Sequence, residues 1–296
     1  MRLLIYGAGV IGSLYASLFG EAGFDATVYA RGRRLESFSQ KGLRYCRNNQ
    51  TRTAKVNIVS EVKADDYYDF IFLTVREDQV HEALSELRNN VSPNIVTMVN
   101  TLEPYSCWEE ICGKGRIIPA FPGAGGSFKD EVLYADLTPR IIQPTTFAEI
   151  DGEETERLKT LSKIFRKSKI PYEIVKDMHI WQLCHLAMVV PIADAYYEAE
   201  CPERAGRERK VMSRTAKQMK KNFTHLYKSG IRLLPPKMHM FRLLPAPILS
   251  IGLSVVFESR FGNTFMYQHS MNAPSEMRRL HEQFYEYINK ADNITK

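Results

Sequence analysis

Apolar and polar residues change rhythm a little past the middle of the chain. Up to about residue 175, apolar runs of strand length recur at 3–6, 26–30, 57–59, 69–75, 94–99 and 116–121, separated by helical or loop stretches such as 13–22 and 79–88. Short apolar runs bounded by turn signals suit strands buried on both faces. Their alternation with helices predicts a parallel, doubly wound sheet. Segments 131–135 and 140–147 read as an antiparallel addition, 153–167 as an amphipathic helix, and 171–175 as a last short strand. From Asp177 onward the period-two alternation is gone. Helices follow, punctuated by Pro191, Pro202, Gly230, Pro235-Pro236 and Pro274. The predicted fold class is α/β: an N-terminal doubly wound Rossmann-type parallel sheet with a second, all-helical C-terminal domain. The boundary falls near residues 168–176, giving domains 1–170 and 171–296.

The first strand runs directly into Gly7-Ala8-Gly9-Val10-Ile11-Gly12, a G-x-G-x-x-G turn followed by a helical run. In a dinucleotide site the first glycine permits the tight turn and the second lets the backbone approach a pyrophosphate. The third lets helix and strand pack closely, and the phosphates sit on the helix N-terminus. At the tip of the second strand, where a site for NAD usually carries Asp or Glu to bind the ribose 2′-hydroxyl, the chain reads Arg31-Gly32-Arg33-Arg34. A guanidinium pairs bidentately with phosphate, so this replacement points to the 2′-phosphate of NADP. A solvated basic loop is the competing account of such a run.

Composition narrows the class without naming the chemistry. The 296 residues suffice for two cores, and 44% hydrophobic with 25% charged residues is ordinary for a globular protein. The net charge of +6 is modest. Much of the basic excess falls in 204–221, which reads as the wet face of a helix; aromatic residues interleaved for nucleic-acid stacking are scarce there. Five cysteines, an odd number without a CxxC pair or a signal-peptide pattern, predict reduced thiols and a cytoplasmic protein. The longest apolar run, 243–257, is broken by Pro245 and Pro247 and is too short for a membrane span, so it reads as a buried helix. No nucleic-acid or membrane partner is expected. No His or Cys cluster has metal-ligand spacing, and no GxSxG nucleophile motif occurs.

The order of features resembles the ketopantoate (2-dehydropantoate) reductase family over nearly the whole chain. The resemblance is carried by Gly7 to Gly12, Arg31 after the second strand, Leu73-Thr74-Val75-Arg76 closing the fourth, Val99-Asn100 closing the fifth, and Trp181 opening the helical half. It implies NADPH-dependent reduction of a small 2-keto acid such as 2-dehydropantoate, a step of pantothenate biosynthesis. Hydride transfer would occur in the cleft between an NADP-binding domain and a helical substrate and dimerisation domain; a homodimer through the helical half is compatible with this. The implied cofactor set is Gly7, Ala8, Gly9, Val10, Ile11, Gly12, Arg31, Arg76 and Asn100. Arg76 stands where the family has a lysine, and Asn100 matches the asparagine of its His-Asn-Gly turn without the glycine. Asn100 either contacts the ligand or closes its own turn.

The helix after the boundary departs from the family. Its Trp-x-Lys motif, with asparagines four and eight residues later, here reads Trp181-Gln182-Leu183, with Ala187 and Pro191 in the asparagine positions. Reducing a keto group needs a proton at oxygen, and leucine supplies none. Candidate replacements are His185, which shares a helical face with Trp181, and His269. A histidine in such an apolar run is also a common core residue. An ungapped match sets Thr264 and Glu276 at the family's serine and glutamate, so Thr264, Asn272 and Glu276 form the expected substrate set. Asn100, His185, His269 and Glu276 form the catalytic one. If 264–272 is helical, Pro274 starts a new helix with Glu276 in its first turn. A second glycine-rich segment, 122–127, offers either a close backbone approach to a ligand or a flexible connection. The competing functional reading is a non-catalytic NADP(H)-binding sensor or sequestering protein.

Overall fold

The computed structural model describes the backbone of residues 1–294 and the side chains of 1–290. It resolves into two compact units, Met1–Met178 and His179–Lys296.

The first unit opens with strand β1 (Arg2–Tyr6), helix α1 (Val10–Glu21), β2 (Asp25–Tyr29) and α2 (Gly32–Lys41), followed by β3 (Arg44–Arg47), β4 (Gln50–Thr53) and β5 (Asn57–Val59). Then come β6 (Phe70–Leu73), α3 (Val80–Glu86), β7 (Ile95–Met98), α4 (Tyr105–Cys112), β8 (Ile117–Phe121), β9 (Ala124–Lys129) and β10 (Val132–Leu137). Strand β11 (Thr145–Phe147), α5 (Glu156–Lys167) and β12 (Tyr172–Ile174) complete the unit. Eight strands form one sheet in the order β12-β11-β8-β7-β6-β1-β2-β5. It is parallel from β8 to β5, with β11 added antiparallel on β8. Phe19, Phe72, Phe147 and Phe165 make tilted, edge-on and stacked ring contacts 4.8–6.4 Å apart, which add to the burial of large apolar area.

The doubly wound prediction holds, with differences that have local causes. The segment 122–127 is neither an open ligand loop nor a slack connection, because 124–129 is paired as β9 against β10. That pair joins the β3–β4 hairpin in a second sheet, β4-β3-β10-β9. Residues 140–143 form a turn, so only the end of the stretch expected as strand pairs with β8. Strand β12 pairs with β11 in the large sheet, so chain that was expected beyond residue 170 to join the helical half lies in the first unit.

The second unit is helical: α6 (Met178–Glu198) reaches into it, followed by α7 (Arg209–Lys228), α8 (His239–Leu243), α9 (Ala246–Phe257), α10 (Gln268–Asn272) and α11 (Pro274–Ile294). Its core joins α6, α7 and α9 through Tyr196, Met212, Met219, Leu249, Leu253 and Phe257. The basic segment lies mainly on α7, whose apolar face is buried. Pro191 lies inside α6 and has no N–H to give the Ala187 carbonyl. Asn222 of α7 donates its side-chain amide to that carbonyl at 3.2 Å. Helix α9 departs from the expected buried helix: Leu249, Leu253 and Phe257 pack inward, while Ile248, Ile251 and Val255 face solvent, Ile251 at 68% exposure. One face suffices to cover α7, and the other stays apolar without being buried. Among the described residues no single helix is long and apolar enough to cross a membrane, and all five cysteines are free thiols.

Candidate functional site

The order of the large sheet reverses between β1 and β6: β2 follows β1 on one side, while β6 is reached on the other. In an open α/β sheet a ligand crevice lies outside the carboxyl ends of the strands at that point. Tyr6-Gly7 and Leu73-Thr74 meet there. The Thr74 amide donates to the Tyr6 carbonyl at 2.9 Å, and the Thr74 hydroxyl donates to the Gly7 carbonyl at 2.9 Å. Gly7 takes φ +122°, and a Cβ there would lie 2.8 Å from the Thr74 carbonyl oxygen. A Cβ on Gly12 would overlap the Gly7 carbonyl and Thr74 Oγ1. Gly9 differs, since a Cβ on it would meet nothing within 4 Å.

Gly9 is the N-cap of α1, extended at φ −76° and ψ −171°, and no side chain caps the helix. The first turn of α1, starting at Val10, contains no acidic residue. The first amides of an α-helix have no intrahelical acceptor and carry partial positive charge. A helix start without a capping side chain or acidic residue, next to open space, is suited to an anionic ligand. This fits the pyrophosphate of a dinucleotide.

Asn100 follows β7 at the same end of the sheet. It is 8% exposed, and its Oδ1 is buried without a hydrogen-bond partner among the described residues. The turn after it is closed by Thr101, whose hydroxyl accepts from the Glu103 amide at 3.0 Å. Asn100 is therefore not consumed in closing its own turn, and a buried orphan carboxamide oxygen costs about 1–3 kcal/mol unless something meets it. A ligand N–H or O–H would meet it. Arg76 caps the one-turn helix Glu77–Gln79, with its guanidinium exposed and 3.9 Å from Asp78.

The three arginines after β2 do not form one cluster. Gly32–Lys41 is helical, and its turn spreads them. The Arg34 guanidinium stacks on Phe128 at 3.4 Å, Arg33 is exposed, and Arg31 Nη1 lies 3.0 Å from Glu86 Oε1 and 3.7 Å from Glu82 Oε1. The Tyr6 hydroxyl donates to Glu86, and the Tyr29 hydroxyl reaches the same carboxylate at 3.4 Å. Burial, with Glu86 beside it, pushes the Tyr6 phenol up, so it remains a donor. Sequence reasoning missed both acids, which lie on α3 more than fifty residues from Arg31. Their i, i+4 spacing on a predicted helix is the one signal that sets them on a common face.

In the second unit, His185 stacks on Trp181 at 5.2 Å with the rings 11° apart, as their shared helical face predicts. His185 is buried, and that desolvation, with His269 adding to it, pulls its pKa down to about 3. It is a neutral imidazole at neutral pH and holds no cationic proton to give. His269 is exposed, and desolvation lowers its pKa too. Leu183 and Ala187 are fully buried.

Residues 262–267 form a π-helical turn holding half-buried Thr264, and it continues into α10 with His269 and Asn272. The helix breaks at Ala273, and Glu276 lies in the first turn of α11. The Tyr197 hydroxyl donates to the Ser270 carbonyl at 2.6 Å, tying α10 to α6. A further pair was missed: His281 Nδ1 lies 3.0 Å from both Asp194 oxygens. Burial raises the Asp194 carboxyl against the lowering effect of His281. A carboxylate that fixes an imidazole in this way leaves the other ring nitrogen for proton exchange. Among the described residues no group of three or more His, Cys, Asp or Glu could hold a metal.

Residues 3–133 match the family model described as ketopantoate reductase PanE/ApbA. A 2-dehydropantoate 2-reductase of Archaeoglobus fulgidus is 26% identical over 184 residues, 61% of this chain and 58% of that protein, so the chain spans little more than half of that relative's length. The crystal structure of 2-dehydropantoate 2-reductase from Geobacter metallireducens superposes with a TM-score of 0.72 at 14% identity, covering 99% of this chain and 100% of that one. D-mandelate dehydrogenase in complex with NADH gives 0.66 at 13% identity, over 100% and 98%. The structural likenesses establish the fold. The sequence likeness to ketopantoate reductase PanE/ApbA is carried by residues 3–133, a little under half of the chain.

Proposed function

We propose that the chain is a nicotinamide-nucleotide-dependent reductase of a small 2-keto acid such as 2-dehydropantoate, with NADPH as reductant. The observation that carries the reading is the open backbone at Gly9 on an uncapped helix start, with the orphaned Asn100 carboxamide at the same end of the sheet. The Gly7 to Gly12 turn and first-turn amides of α1 hold the pyrophosphate, Arg31 faces the adenosine ribose, and Asn100 orients the nicotinamide end. Bound nucleotide supplies hydride to the keto carbon.

This chain's own residues must bind the substrate carboxylate and deliver a proton to the keto oxygen. Arg76 offers an exposed cation for the carboxylate. Thr264, Asn272 and Glu276 are the polar groups proposed to bind the substrate. Leu183 replaces the family's usual donor. His185, buried and held neutral, is a poor replacement; His269, lowered in the same direction but exposed, is the favoured acid because it can regain its proton from solvent, with Glu276 as its alternate.

The test is steady-state oxidation of NADPH and NADH with 2-dehydropantoate and a panel of 2-keto acids. Turnover that falls at least tenfold in His269→Gln, with nucleotide binding kept, supports this assignment. Tight nucleotide binding without oxidation of any panel member would leave the second reading, a non-catalytic NADP(H)-binding protein. Buried Leu183 and Ala187 favour that reading.

A further inference from the structure

A guanidinium at the tip of β2 selects the 2′-phosphate of NADP only while it can pair with that phosphate. Here its nearest partner is already a carboxylate of the protein: Glu86 at 3.0 Å, with Glu82 at 3.7 Å behind it. Arg31 and the two glutamates together carry one net negative charge. Glu86 is also fixed from below. The buried Tyr6 hydroxyl donates to its second oxygen and Tyr29 reaches the same atom; the two tyrosine rings stand 4.5 Å apart, and the Arg31 guanidinium lies over that of Tyr29. A carboxylate held at one oxygen by a buried phenol does not swing away as freely as a surface glutamate. Arg34 is drawn off to Phe128, so only exposed Arg33 is left of the basic run to offset this charge.

We propose that Glu86 is a specificity-determining residue for the nucleotide: it competes with the 2′-phosphate for Arg31 and brings NADH and NADPH toward equal affinity. The inference rests on the nucleotide-binding reading above. A 2′-phosphate arriving at Arg31 must displace Glu86 or lie beside it as a second anion, and like charges at that separation repel. The 2′-hydroxyl of NADH carries no charge, and a carboxylate oxygen accepts its hydrogen bond. The ion pair is half exposed, with Arg31 at 52% and Glu86 at 39%, so its effect is moderate and salt-dependent.

The test is calorimetric titration of the full chain and of Glu86→Gln with NADPH and NADH. Glutamine keeps an oxygen that accepts from Tyr6 and removes the charge. The expected result is NADPH bound roughly tenfold more tightly by Glu86→Gln and NADH changed less than about twofold. The NADPH gain should shrink as salt is raised. Glu82→Gln should move NADPH affinity in the same direction by a smaller factor, because its carboxylate lies farther from Arg31. Equal changes for the two nucleotides, or none, would overturn the role of Glu86 while leaving the reductase reading intact. Failure of both proteins to bind either nucleotide, with thermal unfolding showing both folded, would overturn both.

Discussion

The two units make their candidate sites from different materials. In the first, the groups that would face a ligand are mostly backbone amides, and their position depends on side chains that are missing. Gly7 and Gly12 leave no room for a methyl group, and Gly9 leaves open space. In the second, every candidate group is a side chain at the end of rotatable bonds, on a helix that could hold another residue without changing course. Leu183, where the proposed reading would want a proton donor, is a buried leucine, and α6 still forms. A site built from backbone is bound to its fold, whereas one built from side chains can be replaced while the fold persists.

The contrast can be broken most forcefully at Gly12. Gly12→Ala should lose nucleotide affinity by at least about 100-fold and destabilise the first unit by roughly 3 kcal/mol, since the new methyl overlaps backbone and a β-branched side chain. Calorimetric binding and thermal unfolding read the two effects, and normal affinity in a stable variant would refute the assignment of this turn. Gly9→Ala sharpens the point. Its Cβ meets no protein atom, so the midpoint of unfolding should move by no more than about 2 °C. Nucleotide binding should still weaken more than about tenfold, because the ligand would occupy that space.

Next in size is a pH effect in the second unit. The pKa of His185 is depressed to about 3 in the folded chain, against about 6.5 when unfolded. Between those values the unfolded chain binds one more proton, so stability rises with pH and falls on acidification. The slope from this group approaches 1.4 kcal/mol per pH unit below about pH 6. His185→Gln should flatten the wild-type denaturation profile there, and an unchanged slope would show that the imidazole is not the group responsible. The smallest effect belongs to α9: Ile251→Lys, on its exposed face, should change unfolding free energy by less than about 0.5 kcal/mol.

Legibility followed the same division. The alternating strands and the glycine turn could be read directly, because period and steric exclusion are local properties. Helix α2 starts inside the arginine run, and a basic run reads equally well as a solvated loop. The β3–β4 hairpin turns at Asn48 and Asn49, both at positive φ, and Asn-Asn was an available turn signal. Glu86 against Arg31 and Asp194 against His281 could not be read, since each pair is joined only by the fold, across 55 and 87 residues. The exposed face of α9 was invisible for a different reason: the helix carries no charged residue to declare which way it turns.

Pro191 leaves α6 with one carbonyl too many, and a neighbouring helix answers it. The amide of Asn222 stands in for the missing main-chain donor at Ala187. The roll of α6 about its own axis is thus indexed to α7 at a single tooth. An ordinary residue at 191 would make that tooth redundant, so substitutions at 191 and 222 should prove non-additive.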